Sequence, residues 1–435
     1  MKVAVIGGGI AGLTAAWRLL GDRHEPTVLE ASAQPGGVIV TSRVDGFVRE
    51  HAANGFLSST DGASALCDEL GVATVAAAPA AKRRWIYRGG ARHAVPASPA
   101  ALVATKLLSW RGKLALLGEP LRRRRDAAQA GDQSMYDFAV RRFGVEVADG
   151  FVGPIVTGVY AAHAQDVSLA AGFPQLAELD AAGGLVRGLI AKRGQARARV
   201  RPRLTAPVDG LAALPAALAA RLGPRVRCGV TVTRVEARDR AVLVDGERYD
   251  AAVLAVPAAA VRALVPALAD ELATAVSAPA AVVFMGYDAA QLHTDTGGFG
   301  LLVAAGEAPR VLGIVFESTL WPGRAPDGAC LFRMIYGGAR DPSATALSDD
   351  DLLRQARADL QCTLGIDAVP RHASVVRWAH ALAQYPVGHL ERVARWDAIA
   401  RAQRLVLCGA PYHGVAINAC VTDGRRAARA IAALA

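Results

Sequence analysis

The sequence predicts an α/β protein, in which a Rossmann-type nucleotide-binding domain is interrupted by a basic helical insert and joined by an α+β domain with a sheet of its own. Three observations carry this expectation. A short apolar run, residues 3–6, leads straight into Gly7-Gly8-Gly9-Ile10-Ala11-Gly12. A second strand, glycine turn and helix pattern closes the chain, with Gly409 and Gly414 in the turn. Between the two, the apolar pattern passes from alternating strands to cation-loaded helices and back to strands.

The opening unit is justified residue by residue. Gly7 suits a tight turn, Gly9 lets the backbone approach a pyrophosphate, and Gly12 lets the following helix pack closely on the strand. Ile10 and Ala11 open that helix, whose free N–H groups and positive dipole end face the phosphates. A second strand, 27–29, ends at Glu30, 18 positions after Gly12. A carboxylate there accepts ribose hydroxyls and repels a 2′-phosphate. Glycine-rich turns also occur without a ligand, but strand, glycines, helix, strand and acid in register favour a nucleotide. Gly36-Gly37 offers a second close backbone approach, as an extended dinucleotide needs; the plainer alternative is a glycine turn into a strand pair. NAD and FAD share these features, so the choice between them is left to the end of the chain.

With 435 residues and 52% hydrophobic content, the chain can build two or three cores and is not a disordered protein. Its formal charge of +10 suggests an anionic partner: nucleic acid, a membrane surface or an acidic small molecule. No zinc-finger spacing or aromatic-rich RNA motif accompanies the charge, so nucleic acid is set aside. The six cysteines form no C-x-x-C pair, which predicts reduced, mostly buried thiols in a cytoplasmic protein and no metal site. The first strand starts at once, leaving no room for a signal peptide. The apolar stretch 251–269 is broken by Pro257, Arg262 and Pro266, so no transmembrane helix is expected.

In chain order, 47–50 reads as a strand, 51–56 as a loop and 61–70 as a helix. Residues 83–87 alternate toward Gly89-Gly90, predicting a hairpin that ends at Pro96. Arg83 and Arg84 are there either as solvated strand surface or as a cation presented to a carboxylate. From 99 to 203 come helices rich in cations, with leucines and Trp110 interleaved over 102–121 and Arg122 to Arg125 beyond. This predicts a peripheral contact with an anionic bilayer on the inner face of the cell membrane; the alternative is a solvated positive face. A second basic run, Lys192, Arg193, Arg197, Arg199, Arg201 and Arg203, reads as an exposed loop. A helix over 210–222, a strand over 226–232, a hairpin turn at Asp245-Gly246 and a core strand over 249–256 resume the first domain. The next region carries strands at 282–287, 300–303, 311–316 and 331–336 and a helix at 349–364. The resulting division is 1–82 with 204–271 and 400–435, then 83–203, then 272–399. Strand 405–408 and its glycine turn bring a second helix amino terminus to the nucleotide, where it can stabilise negative charge on a reduced isoalloxazine ring. That tips the expectation to FAD, held without a covalent bond because no cysteine or histidine occupies an attachment motif.

Longer motifs carry a more specific likeness: Tyr136-Asp137-Phe138 with Arg141-Arg142-Phe143-Gly144; Pro154 through Gly158-Val159-Tyr160-Ala161; Ser168 with Phe173-Pro174; Gly298 to Val303; Gln384 to His389; and Tyr412 to Cys420. Over most of its length the chain resembles the oxygen-dependent protoporphyrinogen oxidases, within the amine-oxidase-like flavoproteins. The resemblance implies an FAD enzyme of heme biosynthesis that takes six electrons from a porphyrinogen in three hydride transfers, with O2 as acceptor and peroxide as product. It further implies that Arg84 holds a substrate propionate, that Leu302 and Ile335 clamp pyrrole rings, and that Gly158 lies under the macrocycle. Glu30, the Val230 backbone, Gly409, Gly414, Val415, Ala416 and Ile417 would touch the flavin. Leu302 and Ile335 serve equally well as plain core. The chain departs from the family pattern at Gln34, at Ala52-Ala53-Asn54, at Gly183-Gly184 and at Ala419. The readings left open are a protoporphyrinogen or a coproporphyrinogen III substrate, amine oxidation between Tyr385 and Tyr412, and a non-catalytic porphyrin-binding flavoprotein. A homodimer is compatible with each.

Overall fold

The computed structural model describes residues 1–119, 122, 131–185 and 202–434. Among these residues a five-stranded parallel sheet runs in the order Val226–Cys228, Glu25–Glu30, Lys2–Ile6, Ala251–Leu254 and Leu405–Leu407. The central strands read as continuous apolar runs because both faces are covered. Strand order reverses at Lys2–Ile6, so the topological switch point lies at the carboxyl end of that strand, where Gly7 begins the turn. Helices Ile10–Gly21 and Ile417–Ala432 cross on one face of the sheet. Gly424 makes that crossing possible, since a Cβ on it would sit 2.6 Å from the Ala11 carbonyl oxygen.

Helix His389–Ala402 covers the other face and buries Val393, Trp396 and Ala400 against Leu405 and Leu407. Placing the domain boundary at 400 therefore cuts through an element of the first domain. The strand expected over 226–232 stops at Cys228. Gly229 turns at φ +72° and the Val230 N–H leaves the ladder to donate to the Glu30 carbonyl at 2.9 Å. The expected run 249–256 likewise divides: Glu247–Tyr249 closes a hairpin, and Ala251–Leu254 enters the parallel sheet.

A second, seven-stranded sheet runs in the order His372–Ala383, Ser277–Asp288, Ala329–Gly337, Gly313–Phe316, Gly300–Val303, Arg84–Arg88 and Ala91–Ala94. The hairpin of the last two strands, which the sequence division gives to the helical insert, is hydrogen-bonded into this sheet through Gly300–Val303. Strand His372–Ala383 is absent from the sequence expectation. It is an edge strand with scattered burial, so its Ala, Arg and His residues show no apolar alternation. Helix Asp349–Leu364 packs Leu352, Ala356 and Leu360 on one face of the sheet. Its ends are well defined. Ser348 accepts from Asp351 N–H, three aspartates occupy the positive first turn, and Gly365 closes it in the left-handed conformation.

The opposite sheet face looks toward the first domain. Strand pair Thr41–Val44 and Phe47–Glu50 lays Phe47 on Val282, Phe284 and Leu331. Buried Glu50 at its end accepts from Leu211 N–H at 3.0 Å and pairs with Arg324 at 2.9 Å. The insert packs helices Met135–Phe143 and Gly153–Tyr160 around Phe138, Val156 and Tyr160. Of the basic stretches, Arg123, Arg124, Arg125, Lys192, Arg193, Arg197, Arg199 and Arg201 lie outside the described residues. No helix among the described residues is long and apolar enough to cross a membrane.

Candidate active site

The glycines of the opening turn act in distinct ways. Gly7 has φ +104°, and a Cβ there would meet the Ala255 carbonyl oxygen at 2.4 Å. Gly12 leaves even less room, since a Cβ would lie 2.1 Å from the Gly7 carbonyl oxygen. Gly9 is different: nothing stands within 4 Å of its Cβ position, so the space above it is open. Gly9 is also the amino-terminal cap of helix Ile10–Gly21, and no side chain caps the N–H groups of that helix. Gly36 N–H donates to the Gly8 carbonyl at 2.8 Å, drawing the Gly36-Gly37 pair, both at positive φ, beside the opening turn.

Glu30 is buried and accepts from Gly8 N–H at 2.6 Å and Ser32 N–H at 2.8 Å. A carboxylate offers about four acceptor sites, so it can still take two ribose hydroxyls. Val230, half-exposed, borders the same strand end.

The terminal turn comes to the same place. A Cβ on Gly409 would lie 3.4 Å from the Ala11 Cβ, which sets the two glycine turns side by side. Helix Ile417–Ala432 begins after Ala416, again with no side-chain cap. Gly414 N–H donates to the Tyr385 hydroxyl at 2.6 Å, and that hydroxyl donates to the Ala410 carbonyl. The Tyr385 ring stacks on His389 with centroids 4.0 Å apart. Burial lowers the His389 pKa to about 4, so near neutral pH the ring is uncharged and Nε2 donates to the Tyr412 carbonyl at 3.0 Å. Tyr385 and Tyr412 are both 1% exposed, packed inside the protein, which removes the open aromatic pair that the amine-oxidation alternative needs.

Paired positions across a sheet point to one face, which sorts the remaining candidates. Ile86, Leu302, Gly313 and Ile335 form one such row, and Arg84, paired with Gly300, stands two residues along on the same side. Arg84 is exposed, its guanidinium lies 5.2 Å from the Phe299 ring centre, and among the described residues no carboxylate pairs with it. Arg83 is spent on Asp295 and the Gly297 carbonyl. Leu302 and Ile335 are half-buried. Exposed Gly158 faces Leu302 from helix Gly153–Tyr160, and a Cβ on it would come 2.6 Å from Leu302 Cδ2. The candidates whose contacts are given fall into two groups, those around the two glycine turns and those on or facing the seven-stranded sheet.

Two uncapped helix amino termini, an acid at the end of the second strand and a switch-point glycine turn define a Rossmann-type dinucleotide-binding protein with a second, seven-stranded sheet. The sequence profile of the flavin-containing amine oxidoreductases matches residues 10–432, and the chain belongs to that family. It is an oxidoreductase and its cofactor is FAD, which the open space above Gly9 and the uncapped helix termini fit. Protoporphyrinogen oxidase of Homo sapiens is similar, 32% identical over 475 residues covering 98% of this chain and 97% of its own. Coproporphyrinogen III oxidase of Bacillus subtilis is 28% identical over 462 residues, covering 98% and 96%. A crystal structure of a protein from Exiguobacterium sp. 255-15 shares the fold at a TM-score of 0.85, with 24% identity and coverage of 99% and 98%.

Proposed function

We propose that this chain oxidises a porphyrinogen to the porphyrin in heme biosynthesis, with protoporphyrinogen IX as substrate and O2 as final acceptor. The observation that carries the reading is the Arg84 guanidinium, paired with no carboxylate among the described residues, on the same sheet face as Leu302 and Ile335, a charge beside an apolar floor as a propionate-bearing macrocycle requires. When bound, FAD would supply the hydride-accepting chemistry, with O2 as the final acceptor. The protein binds and orients: Arg84 takes a propionate, Leu302 and Ile335 hold apolar ring surface, and Gly158 keeps the facing helix close. Glu30, the Val230 backbone and the uncapped amino termini at Ile10 and Ile417 hold the cofactor. Coproporphyrinogen III, with more propionates, is the second reading, and the cation excess favours it. The test is anaerobic bleaching of the flavin by each porphyrinogen; absence of bleaching with both would remove the catalytic reading and leave a porphyrin-binding flavoprotein.

We further infer that the insert rests on the cytoplasmic face of an anionic membrane. Helix Trp110–Leu117 exposes Trp110 (69%), Leu114 (65%) and Leu117 (64%), spaced on one face, with Val103 exposed nearby. The Lys113 ammonium sits 5.0 Å from the Trp110 ring centre, so cation and apolar groups share one surface. Burying a Trp and a Leu in acyl chains contributes about 1.5–3 kcal/mol each. The variant W110S/L114S is therefore expected to bind anionic vesicles at least about tenfold more weakly in sedimentation. Equal sedimentation of variant and parent, or no preference for anionic over neutral vesicles, would leave this face merely solvated.

A further inference from the structure

Behind the terminal glycine turn lies a cluster of charges that neither substrate nor membrane reading uses. Asp423, on helix Ile417–Ala432, is 3% exposed. Its Oδ2 accepts from Gly409 N–H at 2.6 Å, and its Oδ1 accepts from Arg426 Nε one helical turn away. Arg426 Nη2 donates to the carbonyl of Leu407, the last residue of strand Leu405–Leu407. On the other side His413 stands between two carboxylates, with Nε2 3.1 Å from Asp397 Oδ2 and Nδ1 3.2 Å from Asp423 Oδ1. Asp397 belongs to helix His389–Ala402. The cluster grips three successive points of the turn: the end of the strand, the glycine at φ +106°, and the short helix Ala410–His413.

We propose that Asp423 is a positioning residue for the cofactor, holding the 409–417 turn through Gly409, Arg426 and His413 in the shape that receives the flavin. This rests on reading that turn as the flavin contact. Among the described residues Asp423 is the acceptor for Gly409, and without it the buried N–H of this positive-φ glycine would be unpaired. The side chain of Asp423 thus replaces a backbone ladder where the strand has ended.

The clamp is sensitive to pH through His413. Burial opposes its charge, but the hydrogen bonds to Asp397 and Asp423 outweigh this and raise its pKa above the ordinary imidazole value. The other groups facing it are Arg426, whose Nη2 is 3.2 Å from Nδ1, His389, which burial keeps neutral, and the Tyr412 ring, whose centre lies 6.1 Å away. Burial opposes the charge of Asp423 as well, but the hydrogen bond and charge of His413, with Arg426, outweigh it and hold the carboxyl below its ordinary range. Because the folded pKa of His413 is raised, its contribution is complete below the ordinary imidazole value and is lost as pH rises through the raised one. Once neutral, His413 keeps its bond to Asp397, and its Nδ1 can accept from Arg426 in place of donating to Asp423.

The test titrates apoprotein with FAD, following quenching of flavin fluorescence from about pH 6 to about pH 9, for the parent, Asp423→Asn and His413→Gln. Asp423→Asn is expected to bind FAD about 10- to 100-fold more weakly, the worth of one charge-assisted anchor. His413→Gln is expected to bind about 3- to 10-fold more weakly at the acid end, and the parent is expected to fall to meet it at the alkaline end. Should Asp423→Asn fail to fold, the His413→Gln profile decides alone. A parent that binds FAD tightly while both variants match it at every pH would overturn the clamp. A parent that binds no FAD would instead overturn the flavin reading of the turn.

Discussion

Replacing Gly9 by valine is expected to give a folded, colourless protein. The backbone there, at φ −72° and ψ 172°, suits any residue, and the Cβ meets nothing within 4 Å, so the polypeptide tolerates the change. The new side chain fills the space that the pyrophosphate needs over the amino terminus of helix Ile10–Gly21. Losing two or more charge-assisted N–H contacts, each about 1.5–3 kcal/mol, weakens FAD by about two to four decades. Gly12→Ala is the contrasting case. Its methyl group meets the Gly7 carbonyl oxygen at 2.1 Å within the protein itself, so folding suffers before any ligand is considered. The check is the visible flavin absorbance of each purified variant beside its circular dichroism. A yellow, fully loaded Gly9→Val protein would show that the pyrophosphate does not lie there.

Arg84→Ala is expected to lower kcat/KM for a porphyrinogen by about one to two decades, the loss of a charge-assisted carboxylate anchor at about 1.5–3 kcal/mol. Flavin content should stay that of the parent, because Arg84 lies on the sheet face and not in the nucleotide cradle. Arg83→Ala is the control, since that side chain already pairs with Asp295 and half of it faces solvent. An exposed pair of this kind contributes roughly 0–1 kcal/mol, so the control should change kcat/KM little. Steady-state rates on protoporphyrinogen IX and coproporphyrinogen III, with the absorbance ratio for flavin occupancy, separate the two arginines. Equal effects from both, or flavin lost from Arg84→Ala, would move the propionate anchor elsewhere.

The clamp adds a link between these two sites. Helix Ile417–Ala432 contacts helix Ile10–Gly21 through Gly424, and the residue before that glycine is Asp423. The same helix therefore sets the spacing of the two glycine turns and anchors one of them. A substitution at 423 is accordingly read in flavin affinity, while a substitution at 84 is read in substrate kinetics.

Local chemistry made the nucleotide cradle legible in the sequence. A positive φ at Gly7, the close helix packing at Gly12 and a carboxylate at the end of the second strand are each imposed over a few residues, so residue type and spacing reveal them. The long helix Asp349–Leu364 was legible for the same reason, with its serine cap, acidic first turn and closing glycine all in sequence order. The resemblance singled out Arg84, and in the structure Arg83 pairs with Asp295 while Arg84 pairs with no carboxylate among the described residues. What only the tertiary structure decided are contacts between distant segments. Strand Arg84–Arg88 joins Gly300–Val303 across more than two hundred residues, which moves the hairpin from the expected helical segment to the seven-stranded sheet. Edge strand His372–Ala383 is held by pairing with Ser277–Asp288 and not by a pattern of its own. Helix His389–Ala402 belongs to the first domain because Trp396 finds its core there. The meeting of Asp397, His413, Asp423 and Arg426 is of the same kind. Charged residues on a helix are ordinarily solvated, and only the packing of two helices behind one turn removes the water and leaves each charge to the other.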